Sequence, residues 1–240
     1  MRRAFGRARI IQAWKAPSKR PLSEAPSAEI ERGGAVRTVR IPHYSKRVER
    51  EEVEVVLPGN NEEIHAWATK HKLLEPTSTV FVGLDVEWRP AFRVGERNKV
   101  ALVQLATSSS VILVQLNRFQ SFPKTLAQMI SHDLIHKVGV GVLEDLKLLK
   151  RDYDVNFSET AFTDLSKAVK KLLHNDTSKN QLGLQTLAKE LLGVEVPKPK
   201  RVRLGNWENV ELTHEQICYA AYDAVLSYDI HKAIAEKTSV

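Results

Sequence analysis

The sequence contains very little cysteine and no long hydrophobic run. Cys218 is the only cysteine among the 240 residues, so neither an internal disulfide nor a cysteine-based zinc cluster can form. The best apolar runs, such as residues 100–106, fall far short of the roughly 18 residues that a membrane-spanning helix needs. These absences exclude a disulfide-rich secreted domain and a transmembrane protein. Stability must come from ordinary burial of an apolar core, for which the chain is long enough.

Positive charge is concentrated in the N-terminal part of the chain. Residues 1–50 contain 13 Lys and Arg against 4 Asp and Glu, a net charge of +9, whereas residues 51–240 contain 23 against 25, a net charge of −2. The first part also has four of the ten prolines and shows no sustained helical or strand period. We therefore predict a basic, largely disordered arm over residues 1–48 and a single folded domain over residues 49–240.

The beginning of the arm is compatible with two kinds of targeting signal. Residues 1–9 are rich in arginine and free of acidic residues, as organellar transit peptides are, but the arginines do not separate cleanly from the apolar side chains. A nuclear signal or an arm that contacts nucleic acid fits equally well, and a solvated charged tail is the simplest alternative. We predict a nuclear location, with the mitochondrion as the alternative.

Beyond the arm, the hydrophobic pattern alternates between strands and helices. Strands are predicted at residues 53–57, 80–88, 100–106, 111–116 and 137–142. Helices are predicted after an Asn61 cap, at residues 126–130, 144–153, 165–173 (capped by Asp164) and 182–192, and from a Thr213 cap to about residue 233. This order predicts an α/β domain in which helices flank a mixed sheet.

Two carboxylates interrupt the most apolar strand of the sequence. Asp85 and Glu87 lie within residues 80–88, where burial of an unpaired carboxylate costs several kcal/mol. Because side chains at positions i and i+2 of a strand point to the same face, the two carboxylates converge on one point. Carboxylate oxygens are the ligands that Mg²⁺ and Mn²⁺ prefer, so the pair is a candidate metal site. For this motif alone, an acidic pair that faces solvent or an arginine is the plainer alternative.

Two further acidic positions stand on predicted helices. Asp145 lies in the first turn of a helix, where the helix dipole alone would also explain it. Tyr219 and Asp223 are four residues apart on the last helix and so share one face, and the alanines around them allow another element to approach closely. An ordinary amphipathic helix with an aromatic anchor is the alternative for this segment.

Together, Asp-x-Glu, Asp and Tyr-x-x-x-Asp form a more specific pattern than any one part. In this order the sequence resembles the DEDD superfamily of 3′–5′ exonucleases, in the subfamily whose third motif carries tyrosine. The resemblance covers about residues 50–235 and is strongest to the Werner-syndrome-type exonuclease domain and its plant stand-alone relatives. The matching segments are GLDVEWRP (83–90), KVALVQL (99–105), LGNWE (204–208), LT (212–213) and YAAYDA (219–224). The sister subfamily has a histidine where this chain has Cys218, which favours the tyrosine subfamily.

The resemblance implies a ribonuclease H-like fold and a hydrolysis that releases nucleoside 5′-monophosphates with two divalent cations, Mg²⁺ or Mn²⁺. It implies that Asp85, Glu87 and Asp223 hold the water-activating ion. It also implies that Asp85 bridges to a second ion, which Asp145 holds. Tyr219 is implied to orient the attacking water, since a phenol with a pKa near 10 is a poor base at neutral pH.

Residues next to these motifs are predicted to contact the substrate. Leu84 and Val86 are candidates for contact with the terminal base, although such residues more often belong to the core. Trp88 is predicted to stack on a base, whereas burial is expected for Trp207. The basic cluster at residues 198–203 is predicted to be a loop. Two basic groups are predicted to contact phosphates, one after the first motif and one within this cluster: Arg89, Arg93, Lys99, Lys200, Arg201 and Arg203.

Three other functions share parts of this pattern. An exoribonuclease that processes RNA 3′ ends is the nearest, because the same constellation serves both sugars; DNA is favoured. A nucleic-acid-binding scaffold without catalysis is disfavoured by the intact acidic and tyrosine positions, and an endonuclease of the same architecture by the tyrosine on the last helix. The predicted partner is nucleic acid with a single-stranded or recessed 3′ end. Since no helicase motor follows the last motif, unwinding is assigned to a separate helicase, and no membrane contact is expected.

Overall fold

An eight-stranded mixed sheet forms the centre of the described part of the chain. The computed structural model describes residues 30–33, 36–44, 52–91, 93, 95–172 and 182–238. The strands are β1 (Ile30–Gly33), β2 (Val36–Pro42), β3 (Glu52–Leu57), β4 (Val80–Trp88), β5 (Val100–Ala106), β6 (Ser110–Gln115), β7 (Ile135–Gly139) and β8 (Phe162–Asp164). Their order across the sheet is β1-β2-β3-β6-β5-β4-β7-β8.

The sheet joins antiparallel and parallel pairs. Strands β4, β5 and β6 form an antiparallel meander, as do β1, β2 and β3. The pairs β3–β6, β4–β7 and β7–β8 are parallel. Strand β4 therefore lies inside the sheet between β5 and β7, which explains its nearly continuous apolar sequence.

Helices cover both faces of the sheet. They are α1 (Asn61–Lys70), α2 (Lys124–Ser131), α3 (Val142–Tyr153), α4 (Leu165–Leu172), α5 (Leu184–Leu187), α6 (Lys200–Arg203) and α7 (His214–Thr238). A 3₁₀ turn spans Leu116–Arg118, and α5 continues as a π-helical segment, Ala188–Leu192. No helix among the described residues combines the length and apolar composition that would let it cross a membrane.

The two faces of the sheet bury separate apolar clusters. One cluster joins α1, α2 and α3 to the face of β4 that carries Leu84 and Val86. The other joins α7 to the opposite face. Helix α7 approaches β4 closely because Gly83 has no side chain: a Cβ at this position would collide with the carbonyl oxygen of Ala224. Side chains of β4 therefore point alternately toward the cluster beneath α1, α2 and α3 and toward the face that α7 covers.

Most predicted element boundaries are confirmed. Strands β4 and β5 span the predicted residues, and Gly193 ends the helical segment before it in a left-handed conformation. Asp164 Oδ1 accepts hydrogen bonds from the backbone N–H groups of Ser166 and Lys167. Thr213 and Gln216 form a reciprocal capping pair at the start of α7.

Three local predictions are wrong. Asn60, not Asn61, caps α1, and its side chain accepts a hydrogen bond from the Glu63 N–H. Strand β7 spans Ile135–Gly139 rather than residues 137–142, because Gly141 adopts a left-handed conformation and α3 begins at Val142. The basic segment before α7 contains a short helix, α6, where a loop was expected.

The predicted arm also contains part of the sheet. Strand β2 pairs with β3 from Arg37 opposite Leu57 to Pro42 opposite Glu52, and Val39 and Ile41 are buried. The Tyr222 hydroxyl on α7 donates a hydrogen bond to the carbonyl oxygen of Pro42 at 2.9 Å. Residues 36–44 therefore belong to the folded domain. Residues 1–29 lie outside the described residues, and for them the arm stays a prediction.

Candidate active site

Asp85 and Glu87 lie on the face of β4 that α7 covers. Their Cα partners on β5 are Gln104 and Leu102, and the register shifts immediately after Glu87. Leu102 belongs to the cluster beneath α7, whereas Leu84 and Val86 belong to the opposite one. Strand alternation thus directs both carboxylates to the same side, as the i, i+2 spacing predicted.

Helix α7 completes the acidic group. Tyr219 and Asp223 are four residues apart on this helix, and both are buried. Carboxylate oxygens of Asp85, Glu87 and Asp223 lie within 4.8 Å of one another. The close approach that Gly83 permits places the helical carboxylate against the two strand carboxylates.

Asp145 lies at the edge of this group. It occupies the first turn of α3, directly after the end of β7, the parallel neighbour of β4. It is not part of the tight set of three, but its charge interacts with that set: besides burial, Asp85 raises the pKa of Asp145, and Asp145 contributes to the raised pKa of Glu87. The structure therefore brings together all four predicted carboxylates, with one at the periphery.

Burial and mutual repulsion raise the pKa values of these carboxylates. Burial raises the pKa of Asp85 from 3.8 to about 7, with a further contribution from Asp223. Burial also raises the pKa of Glu87 and of Asp145 well above their usual values, and the Asp85 charge adds to both. Bound cations would relieve this repulsion, and an all-carboxylate set has the donor chemistry of a hard divalent cation. The residues present therefore fit the metal that the sequence implied.

Lys198 provides a positive charge inside the acidic group. Its Nζ lies 2.7 Å from Asp223 Oδ2 and 5.3 Å from the centroid of the Tyr219 ring. Burial raises the pKa of Asp223, and Lys198 and then Tyr219 partly offset this. The sequence placed Lys198 in a basic surface cluster and gave no signal that it turns inward.

Tyr219 stands beside the carboxylates in a protonated state. Burial raises the pKa of its hydroxyl, and Asp223, Glu87 and Asp85 raise it further. Its ring packs against Trp207, which is fully buried as expected. A phenol held neutral in this way is suited to orienting a water molecule rather than to removing its proton.

Gln104 is a second residue that sequence reasoning missed. It lies directly opposite Asp85 on β5 and is fully buried. Neither atom of its side-chain amide has a hydrogen-bond partner among the described residues. Its position inside an apolar strand was the available signal, since a buried amide without a partner is costly.

The predicted substrate contacts are divided between core and surface. Leu84 and Val86 are 1% and 3% exposed and pack in the core on the far face of β4, so their predicted contact with a base is wrong. Trp88 is 41% exposed at the end of β4, next to Glu87. The basic residues are all exposed: Arg89, Arg93, Lys99, Lys200, Arg201 and Arg203. Three of them form ion pairs on the surface: Arg89 with Glu208, Arg93 with Glu96 and Arg201 with Glu215.

The fold and the acidic group together define a ribonuclease H-like nuclease domain. Residues 58–239 match the 3′-5′ exonuclease family. A 3′-5′ exonuclease of Arabidopsis thaliana is 36% identical over 163 residues, which are 68% of this chain and 55% of that protein. The bifunctional 3′-5′ exonuclease/ATP-dependent helicase WRN of Mus musculus is 36% identical over 155 residues, 64% of this chain and 11% of that protein. The chain belongs to the 3′-5′ exonuclease family.

A solved structure agrees with this assignment at the level of the fold. The crystal structure of the Aedes aegypti Nibbler EXO domain superposes with a TM-score of 0.63 and 23% identity, covering 76% of this chain and 88% of that domain. The predicted resemblance and the predicted α/β fold are thus confirmed. The chain spans about half the length of the plant relative and about a tenth of the mouse relative.

Proposed function

We propose that the chain hydrolyses phosphodiester bonds from the 3′ end of nucleic acid, with DNA preferred, and releases nucleoside 5′-monophosphates. The observation that carries this proposal is the convergence of Asp85, Glu87 and Asp223 within 4.8 Å in a member of the 3′-5′ exonuclease family. A largely buried group of three carboxylates weakens the fold unless a cation compensates it, so the group is suited to binding a cation.

Two divalent cations, Mg²⁺ or Mn²⁺, would supply activation of the attacking water and stabilisation of the leaving 3′ oxygen. Asp85, Glu87 and Asp223 would hold the first. Asp145 would hold the second together with Asp85, in keeping with its place at the periphery of the group.

Tyr219 would position the attacking water. Because burial and the three carboxylates raise the pKa of its hydroxyl, the group keeps its proton at neutral pH and acts through hydrogen bonds. Its ring is held on one side by Trp207, and α7 fixes its spacing from Asp223. The phenol therefore presents its oxygen in a fixed direction without a change in charge.

The substrate strand would approach past the end of β4. Trp88 offers an exposed aromatic face for a base directly after Glu87. Arg89, Arg93 and Lys99 are exposed on the segment that follows, and Lys200, Arg201 and Arg203 on α6, which packs against α7. Phosphate contacts from both groups would hold the strand in register without reading its sequence.

A nuclease assay tests this function directly. The purified chain is incubated with 5′-labelled single-stranded and recessed DNA in Mg²⁺ or Mn²⁺, beside Asp85→Asn as an isosteric control. We expect a ladder of products shortened from the 3′ end with wild type and none with the variant. No cleavage of any substrate contradicts an enzyme, and equal cleavage of a 3′-blocked strand contradicts an exonuclease.

The same assay with RNA of matched sequence tests the sugar preference. We propose DNA because the motifs resemble the Werner-syndrome-type domain, and faster shortening of DNA than of RNA is expected. The opposite ranking would identify the chain as an exoribonuclease that processes RNA 3′ ends. Binding of both strands without cleavage would instead fit a nucleic-acid-binding scaffold.

The compartment and the protein partner are proposed from the sequence. We favour the nucleus, on the basic N-terminal segment and the cluster at residues 198–203, and keep the mitochondrion as the alternative. A C-terminal fluorescent fusion of the full chain separates the two. A helicase that acts on the same strand is the proposed partner, because the mouse relative's name pairs an exonuclease with a helicase.

A further inference from the structure

Lys198 differs from the other basic residues of its segment. Lys200, Arg201 and Arg203 are exposed, whereas the Lys198 side chain is 27% exposed and ends against the 4%-exposed carboxylate of Asp223. Its Nζ lies 2.7 Å from Asp223 Oδ2, and its charge also lowers the pKa values of Asp85 and Glu87. One ammonium group thus interacts with all three carboxylates of the tight set.

We propose that Lys198 is an internal counter-ion that occupies the metal-free site and exchanges with the divalent cation. The inference rests on the proposed function, since it takes Asp85, Glu87 and Asp223 as metal ligands. Without metal, the ammonium offsets part of their repulsion. When metal binds, Lys198 leaves Asp223, so the cation has to displace a resident positive charge as well as lose its own water.

Ligand distances and charge oppose the binding of Lys198 and a metal ion to Asp223 at the same time. A Mg²⁺ ion binds carboxylate oxygens at about 2.0–2.1 Å, whereas an ammonium group contacts them at about 2.7–2.9 Å. The 2.7 Å contact therefore places Nζ on one of the two Asp223 oxygens that could hold a cation. Two positive charges at this distance in a buried site would repel strongly.

The local backbone determines how the exchange can occur. Lys198 lies between Pro197 and Pro199, and Pro199 precedes α6 with φ of −63°. A residue before proline is confined to extended conformations, and each proline fixes its own φ, so the backbone here is stiff. The four-carbon side chain has free torsions, and exchange therefore consists of a swing of the ammonium group away from Asp223.

Metal titration of charge-matched variants tests the exchange. The EDTA-treated full chain, Lys198→Met and Lys200→Met are titrated with Mn²⁺ by calorimetry, and the unfolding temperature of each is measured without metal. Lys200→Met removes the same charge two residues away from an exposed position. We expect Lys198→Met to bind Mn²⁺ about tenfold more tightly than wild type, the scale of one close charge pair, and to unfold at a lower temperature without metal. Lys200→Met is expected to match wild type in its affinity for Mn²⁺ and in its unfolding temperature without metal.

The outcomes separate this inference from the proposed function. If wild type binds no Mn²⁺, the metal site itself is wrong. If wild type binds and Lys198→Met binds equally or more weakly, the metal site stands and the exchange is overturned. Equal tightening by Lys200→Met would also overturn it, because the effect would then be one of net charge.

A labelling experiment on wild type keeps the inference testable if Lys198→Met fails to fold. An amine-reactive ester is applied with and without Mn²⁺, and modification is located by mass spectrometry, with the exposed Lys189 as the internal reference. Release from Asp223 should increase the rate at Lys198 severalfold when Mn²⁺ is present. An unchanged or slower rate at Lys198 overturns the exchange.

Discussion

Asp85, Glu87 and Asp223 are held together against their own repulsion. Each belongs to a rigid element, either β4 or α7, so none can move away from the others without disturbing the packing of the sheet against the helix. Lys198 is within ion-pair distance of one of them. Individual residues in this group should therefore respond strongly to pH and to metal.

The stability of the metal-free protein should fall as the pH rises through the titration of Asp85. Its pKa of about 7 in the folded state exceeds the ordinary 3.8, so the folded state binds the proton more tightly than the unfolded state does. This contribution is complete below pH 3.8 and is lost as the pH approaches 7. Thermal unfolding in EDTA, measured between pH 3.8 and pH 7, follows this loss of stability. The double variant Asp85→Asn, Glu87→Gln should give a flatter profile, and an equally steep one would contradict the assignment.

Metal should stabilise wild type far more than the same double variant. Mn²⁺ at about a hundred times its dissociation constant contributes about 2.7 kcal/mol, which corresponds to about 5–10 °C for a domain of this size. The double variant lacks two of the three ligands of the tight set and should shift by less than about a quarter of this. Differential scanning fluorimetry with and without Mn²⁺ decides it. Equal shifts would show that the ion binds elsewhere.

The packing of helix α7 on strand β4 is the element-scale feature on which the site depends. Gly83 sits where the carbonyl oxygen of Ala224 and the backbone nitrogen of Tyr228 come too close to allow any side chain. Asp223 precedes Ala224, so the contact that admits the helix also determines how far its carboxylate lies from Asp85 and Glu87. A change at Gly83 should therefore affect the metal site as well as the fold.

Gly83→Ala should push α7 away from β4. We expect a loss of about 1–3 kcal/mol in the free energy of unfolding, the usual cost of an overpacked core, and a weaker affinity for Mn²⁺. Chemical denaturation and metal titration measure the two effects. Gly183→Ala is the matched control, because its new Cβ would meet no atom within 4 Å. Wild-type metal affinity in a folded Gly83→Ala protein would contradict the coupling.

At the scale of the whole molecule, charge is divided between a basic N-terminal segment and an acidic body. Residues 1–50 carry +9 and the remainder −2, and part of that negative charge is the acidic group itself. The structure places the boundary of the folded domain earlier than the composition did, since β2 and its contact with Tyr222 lie within the basic segment. Removal of residues 1–29 would leave every described strand pair of the sheet intact, because the first of these strands begins at Ile30.

Deletion of residues 1–29 should weaken the salt dependence of nucleic acid binding and leave metal-dependent cleavage intact. This segment carries 7 Lys and Arg against 2 Asp and Glu, and for a single strand the slope of log K against log salt falls by about 0.7 for each phosphate that is no longer neutralised. Binding to a short labelled strand at several salt concentrations measures the slope. Deletion of residues 1–45 is the contrasting variant and should destabilise the fold, because β3 is then left without β2. A full salt slope after the shorter deletion would contradict the prediction.

The sequence predicted regular elements well wherever one physical signal dominated. The apolar runs at β4 and β5 predicted the first and last residue of each strand correctly. The capping residues Asp164 and Thr213 predicted where two helices begin. It missed β2 because Arg40 stands between the buried Val39 and Ile41 and Arg37 precedes them, so the segment's composition resembles that of a solvated arm. It also predicted that Leu84 and Val86 contact the substrate, because they are next to Asp85 and Glu87 in sequence. Neighbours in a strand point to opposite faces, and the motif alone does not show that other helices cover the face of Leu84 and Val86.

The sequence by itself determined the family, the ribonuclease H-like fold and the five residues of the candidate site. Its spacing was sufficient because the periods of strand and helix place Asp85 with Glu87 and Tyr219 with Asp223 through local geometry alone. Only the tertiary structure decided how those elements meet: the closeness that Gly83 allows, the peripheral place of Asp145, the unpartnered amide of Gln104 among the described residues and the inward turn of Lys198. These depend on contacts between segments far apart in the chain, for which no local period exists.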